Sequence, residues 1–319
     1  MKEIGGYFSL ELQCHCNMPN NNGILLNTGR NALEFILREI GNIEKLYIPY
    51  FTCDVTLEPI KKVGLQYTFY SINNNLEIAD SIELSANEYL LYTNYYGIKD
   101  SYIKELSLKY GNRLIVDNAQ ALYATPTEKC IYSPRKFVGI PDGGIAYIDK
   151  DCDLTMIETD ESYDRCSHLL IRHDIGATPG YSTFRENSRK LVNNPVKLMS
   201  NLTRTLTESI DFNFVQKRRK ENFNYLHNIL SSSNKLCIDS FGEYNCPMVY
   251  PFWTDDGTLK THLIENKIFV ATYWPNIKEW CEATSIEWQL ADKVIAIPID
   301  QRYDIEDMKY IIETIKYGK

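Results

Sequence analysis

The amino-acid sequence predicts an α/β protein, with a large domain on a mostly parallel sheet followed by a smaller α+β domain. Three observations point there. Within the first 150 residues, short runs rich in β-branched and aromatic residues alternate with amphipathic stretches of helical length. One apolar run, RLIVD, ends on Asp117, and another opens on Gly143-Gly144. Beyond residue 150 the alternation loosens into a polar stretch, a basic helix and isolated strand-like pieces. The expected boundaries are an N-terminal arm over 1–22, the large domain over 23–208 and the small domain over 209–319.

After the arm, NMPNNNG (17–23) reads as a polar connector. In NTGRNALEFILREIGN, Leu33, Ile36, Leu37 and Ile40 recur at helical spacing, with Gly29 at the start. KLYIP is a strand, and DVTLEPIKKVG a helix that Pro59 should limit. The strand LQYTFYSI, the run EYLLYTNYYG, the helix DSYIKELSLKYG and the strands RLIVD, KCIY and GGIAYID follow. Residues 151–208 are polar, with Gly176, Pro179 and Gly180 marking loops. NFVQKRRKENFNYLHNIL places Phe223, Leu226 and Leu230 on one helix face. PMVYPFW, KIFVATYW and KVIAIPI are strand-like. A closing helix has the stripe Met308, Ile311, Ile312 and Ile315, with Asp304, Glu306 and Asp307 at its positive end.

The chain of 319 residues is 44% hydrophobic and 24% charged, which argues against disorder. Its formal charge of −8 argues against a nucleic-acid binder but leaves room for an anionic small ligand held by local donors. No apolar run approaches the roughly 20 residues that span a bilayer, and MKEIGGYFSLELQ lacks the apolar core of a signal peptide. Nine irregularly spaced cysteines suit a reducing cytosol, so a cytoplasmic protein is expected. Cys14-His15-Cys16 has no second ligand pair at finger-like spacing and reads as local packing rather than a metal site.

Lys136 lies in a turn seven residues before the Gly-Gly pair, where a lysine can form a Schiff base with a bound aldehyde. Asp117, nineteen residues upstream, ends an apolar strand, and ligands of open α/β sheets bind beyond such ends. A carboxylate beside a pyridinium nitrogen keeps it protonated, although Asp also commonly caps a turn. Gln120, three residues on, could bond a phenolic oxygen, and Ser133 could donate to a phosphate or simply hold its turn. Gly29, Arg30 and Asn31 open the first long helix, whose free N–H groups and dipole form an anion site. There Gly29 permits close approach and Arg30 could add a fork of donors. Together these are the groups that pyridoxal 5'-phosphate (PLP) needs. Trp253, Tyr273 and Trp274 could stack on a base or sugar, but aromatics in strand-like segments more often fill the core.

These residues resemble the DegT/DnrJ/EryC1/StrS family of PLP-dependent sugar aminotransferases. The spacing from Lys136 to Gly143-Gly144 is similar to the family's K-x-x-x-x-G-E-G-G, with Pro141-Asp142 where Gly-Glu is usual. Asp117 and Gln120 resemble its acidic strand end, and Gly29-Arg30-Asn31-Ala32-Leu33 its G-T-x-A-L helix start. Tyr95-Tyr96-Gly97 and Arg218-Arg219 also have counterparts. Cys53 stands four residues after Pro49, where many members carry an aromatic that stacks on the cofactor ring. The resemblance implies a fold type I enzyme with a mixed seven-stranded sheet and PLP bound by Lys136, Asp117, Gln120, Ser133, Gly29, Arg30, Asn31 and Cys53. It implies amino transfer, commonly from glutamate, to a keto sugar, most often nucleotide-linked, in surface-polysaccharide or amino-sugar biosynthesis. It also implies a homodimer with the site at its interface. The other readings are a dehydratase or lyase on the same scaffold, although the dehydratases carry histidine in place of Lys136, and a catalytically silent homologue.

Overall fold

The computed structural model describes residues 6–238 and 246–317. The first five residues of the expected arm and, in the expected small domain, residues 239–245 and the last two therefore lie outside the described residues. Seven strands form one sheet in the order β1-β7-β6-β5-β4-β2-β3. They are β1 (Ile24–Leu26), β2 (Lys45–Pro49), β3 (Tyr67–Tyr70), β4 (Glu88–Thr93), β5 (Leu114–Asn118), β6 (Lys129–Tyr132) and β7 (Gly144–Ile148). The pairs β3–β2, β2–β4, β4–β5 and β5–β6 are parallel. β7 runs antiparallel to both β6 and β1. Two reversals restore direction, so β1 also points its carboxyl end the way of the parallel strands.

Helices α1 (Gly29–Ile40), α2 (Leu57–Val63) and α3 (Asp100–Tyr110) connect these strands. α1 begins where Thr28 accepts a hydrogen bond from the Asn31 amide and ends at Gly41 (φ 78°). Pro59 does not break α2, because it occupies the first turn, where an amide has no carbonyl a turn earlier. Leu33, Ile36 and Leu37 join Leu46, Ile48, Leu91 and Ile115 in a core on one face of the sheet.

The stretch 151–208 is mostly helical rather than looped: α4 (Ser167–Asp174), α5 (Ala177–Arg189) and α6 (Asn201–Glu208). Gly176 precedes α5, and Pro179 and Gly180 are its third and fourth residues, so all three residues that read as loop markers lie at a helix start, where they are tolerated. The remainder comprises α7 (Phe212–Leu230), β8 (Tyr250–Trp253), α8 (Leu259–Glu265), α9 (Ile277–Trp280), α10 (Ile286–Lys293), β9 (Val294–Ile297) and α11 (Ile305–Tyr317). β8 and β9 pair antiparallel as a separate two-stranded sheet. KIFVATYW forms no strand; its only sheet contact among the described residues is the single bridge Ala271–Ala296. Its Ile268 and Val270 are buried, so its apolar content serves packing. At the start of α11, Asp304 accepts from the Glu306 and Asp307 amides while Asp307 accepts from the Asp304 amide, a reciprocal cap. The other face of the seven-stranded sheet shares a continuous core with β8, β9 and the α11 stripe.

Candidate active site

Five strand termini converge at one end of the sheet. β4 ends on Thr93 opposite Asp117 of β5, and Asp117 lies opposite Ile131 of β6. Tyr132, ending β6, faces Ile145 near the start of β7, and Gly144 faces Leu26 at the end of β1. The start of α1, the Asp117 turn and the Lys136 turn thus become neighbours although they are far apart in the chain.

The Gly-Gly pair makes this meeting possible. Gly143 has φ +113°, donates to the Asn27 carbonyl at 2.7 Å and bridges Thr28. A Cβ on Gly144 would strike the Thr28 carbonyl. Gly29 is in close contact but less constrained: its Cβ would stand 3.3 Å from Ser133 Cβ and 3.5 Å from Ser133 Oγ. The pair therefore seats the first turn of α1 against the turn that carries Ser133 and Lys136.

Lys136 closes the short 3-10 turn Pro134–Lys136 and is exposed. Its charge acts on both Asp117 and Cys53, so three of the expected residues come together. Burial pushes the Asp117 carboxyl above its ordinary range, and the Lys136 charge and a 2.8 Å bond from the Ala119 amide partly offset this. Burial likewise pushes the Cys53 thiol up to about 11, against the pull of Lys136. Gln120 is 1% exposed. Its Oε1 accepts from the Tyr96 amide at 2.7 Å, while its Nε2 has no partner. Ser133 is buried against Gly29.

Two side chains of the α1 start are engaged elsewhere. Arg30 forms an ion pair with Glu58 at 2.6 Å and donates to the Leu191 carbonyl at 2.8 Å, so its guanidinium is not the fork of donors the sequence suggests. Asn31 is buried and donates to Asn27 Oδ1 and the Pro195 carbonyl. What this helix end offers an anion is its first-turn amides. Neither aromatic near Cys53 takes its place: Tyr50 stacks on Phe69 at 4.6 Å, and Phe51 is buried against Trp274 and Tyr95. Trp253 and Trp274 are core residues, and half-buried Tyr273 faces the Tyr96 ring.

Two residues that the sequence marked only as motif positions have contacts it did not show. Asp142 is fully buried and accepts from Ser162, Thr203 and Arg165, fixing the approach to the glycine pair. Arg219 is buried within the apolar stripe of α7 that contains Val215, Phe223 and Leu226. A charged residue in register with an apolar stripe was the available signal. Among the described residues, no group of three or more His, Cys, Asp or Glu could hold a metal ion.

No protein-family model matches the sequence, and neither does any curated protein. Solved structures do match. A DegT/DnrJ/EryC1/StrS aminotransferase from Brucella abortus aligns over 92% of this chain and 85% of its own at TM-score 0.61 and 13% identity. The chain has that fold. The sugar aminotransferase CalS13 from Micromonospora echinospora aligns over 93% and 87%, with TM-score 0.61 and 16% identity. The PLP form of Spr1654 from Streptococcus pneumoniae aligns over 95% and 88%, with TM-score 0.62 and 15% identity. The mixed seven-stranded sheet expected of fold type I is therefore present.

Proposed function

We propose that this chain is a PLP-dependent aminotransferase of the DegT/DnrJ/EryC1/StrS family, moving an amino group from glutamate to a nucleotide-linked keto sugar in the cytoplasm. One observation carries the reading: the charge of Lys136 acts on Asp117, whose carboxyl burial disfavours, at the carboxyl ends of the strands, and Gln120, three residues on, has a buried amide nitrogen without a partner. The fold shared with a sugar aminotransferase and with a PLP-form structure supports it.

The residues fit the cofactor. A phenolic oxygen would give Gln120 Nε2 the acceptor it lacks. A cationic ring nitrogen would stabilise the Asp117 carboxylate that burial disfavours. Ser133 and the first-turn amides of α1 suit a phosphate. PLP, when bound, supplies an aldehyde that condenses with amines and a ring that takes up an electron pair. Lys136 Nζ would hold the cofactor and, when freed by the donor amine, would be the base that takes the proton from the donor's α-carbon onto its own nitrogen. Asp117 would keep a proton on the ring nitrogen, and Gln120 would orient the ring. Gly29 and Arg30 would contribute through their backbone amides, the Asn31 amide being taken by Thr28, and Cys53 would stand at the sequence position where the stacking aromatic is usual.

A homodimer with the site at its interface belongs to the same reading. Leu170 of α4, Tyr181 and Phe184 of α5, and Ile175 between the two helices are exposed and would offer a second copy an apolar face. Ser188 of α5 accepts from Arg135, beside Lys136, so this face adjoins the site.

Absorbance of the purified protein with added PLP tests the proposal, using wild type and Lys136→Ala before and after glutamate. Wild type should show the lysine-bound band near the visible edge, lose it on adding glutamate, and differ from a variant that never forms it. Identical spectra for both proteins would refute the enzyme reading.

A further inference from the structure

We infer that Arg219 is a positioning residue that holds the Lys136 turn and the Gln120 side chain in fixed relation, an inference that rests on the cofactor-binding role proposed for those two residues. Arg219 is 2% exposed, and burying a guanidinium is costly unless its donors are satisfied. Each of its three nitrogens finds an acceptor, in two backbone carbonyls and a carboxamide. Nη2 donates to the Phe137 carbonyl at 2.9 Å, Nη1 to the Met248 carbonyl at 2.8 Å and Nε to Gln301 Oε1 at 3.2 Å.

The first of these bonds grips the lysine turn. Phe137 follows Lys136 directly, and its carbonyl also accepts from Gln301 Nε2 at 3.0 Å. The Phe137 ring lies 4.7 Å from the Arg219 guanidinium carbon, a cation–π contact. Ring and carbonyl of the residue next to Lys136 are thus both held by one side chain.

The second bond leads to Gln120. The Met248 amide donates to the Tyr96 carbonyl at 2.8 Å, and the Tyr96 amide donates to Gln120 Oε1 at 2.7 Å. The turn between them is stiff: Tyr96 has φ +56° and Gly97 φ +74°, and a Cβ on Gly97 would stand 2.8 Å from the Gln120 carbonyl. A continuous path therefore runs from the lysine turn through Arg219, Met248 and Tyr96 to Gln120, fixing its carbonyl end and leaving Nε2 as the free end.

Packing alone does not require an arginine here. A Met or Leu would complete the α7 stripe without desolvating a charge. Lysine would keep the charge but lacks the planar fork that reaches two carbonyls at once.

The test uses the full chain with Arg219→Lys and Arg219→Met, read two ways. In the cofactor-free protein, hydrogen exchange at the Phe137 and Val138 amides should quicken on the order of tenfold, with β4 and β7 unchanged. With PLP, affinity should fall on the order of tenfold in Arg219→Met and less in Arg219→Lys, and the pH midpoint of the lysine-bound band should move. Gln120→Met combined with Arg219→Met should lose less affinity than the product of the single losses. Unchanged local exchange and an unmoved midpoint in a folded variant would overturn the inference. So would exchange that quickens uniformly along the chain. Should Arg219→Met not fold, Arg219→Lys carries the same comparison. If wild type forms no lysine-bound band, the cofactor reading fails, and the exchange result still decides whether Arg219 clamps the turn.

Discussion

Gln120→Met separates a cofactor ligand from a packing residue, because the two roles predict different signs. In the cofactor-free protein the substitution removes the acceptor of the Tyr96 amide, leaving a buried donor unsatisfied at about 1–3 kcal/mol. It also removes Gln120 Nε2, a buried donor that already lacks a partner and carries a penalty of the same size, about 1–3 kcal/mol. The two nearly cancel, and Met occupies similar volume, so the melting temperature should change by at most a few degrees. With PLP the balance differs. The amide's bond to an anionic phenolic oxygen is worth about 1.5–3 kcal/mol, so affinity should fall roughly 10- to 150-fold. Thermal unfolding of the apo protein and titration of the PLP absorbance band measure the two halves. Unchanged affinity with a clear loss of stability would show that the Gln120 amide serves only to hold the Tyr96 turn.

Three further outcomes follow from the same geometry. Asp117→Asn should stabilise the cofactor-free protein near pH 7 while abolishing glutamate-dependent conversion. The folded pKa of Asp117 is raised, so its ionised form costs stability that is lost as pH rises through that value, and the difference should close on acidification. A melting curve of the variant that lies below wild type at neutral pH would contradict this. Asp142→Ala should cost about 3 kcal/mol in urea unfolding, the low end for a broken buried pair, because Arg165 keeps Asp160 at 2.7 Å. Replacing Asp142 and Arg165 together by leucine should recover part of that loss. Cys53, with its thiol at about 11 against an ordinary 9.0, should alkylate at pH 8 about 100-fold more slowly than an unperturbed thiol. It should be slower again in Lys136→Ala, and modification as fast as at exposed Cys14 would contradict the burial argument.

The sheet was legible because its strands are short, apolar and bounded by glycine, proline or an acid, as in KLYIP, RLIVD and GGIAYID. Spacing alone also brought Lys136, Asp117, Gln120 and Gly29 into consideration, since each sits within a residue or two of an element end. The helices of 151–208 were hidden because Gly176 and Pro179 act as breakers inside a helix and as tolerated residues at its start. KIFVATYW misled for the opposite reason: its apolar residues are buried without a ladder partner beyond Ala271. β1, only three residues long, is held chiefly by β7 and is invisible to periodicity.

The motif at the start of α1 suggested the wrong work for the Arg30 guanidinium, and the acceptors around it explain why. Arg30 stands in the motif, yet Glu58 lies 2.6 Å away, so its guanidinium ties α1 to α2. Asn31 is spent joining α1 to the 194–195 segment. Arg219 stands far away in sequence within an apolar stripe, yet its bonds end on the turns that carry Lys136 and, through Met248 and Tyr96, Gln120. A motif records which residues lie near a strand end, whereas the direction of a side chain is decided by the acceptors that folding brings within 3 Å of it. A buried guanidinium is costly unless its nitrogens find acceptors, so the positions of carbonyls contributed by distant segments determine what such an arginine does. Such acceptors come from the tertiary fold, which is why the contribution of Arg219 became readable only when Phe137, Met248 and Gln301 were seen around a single side chain.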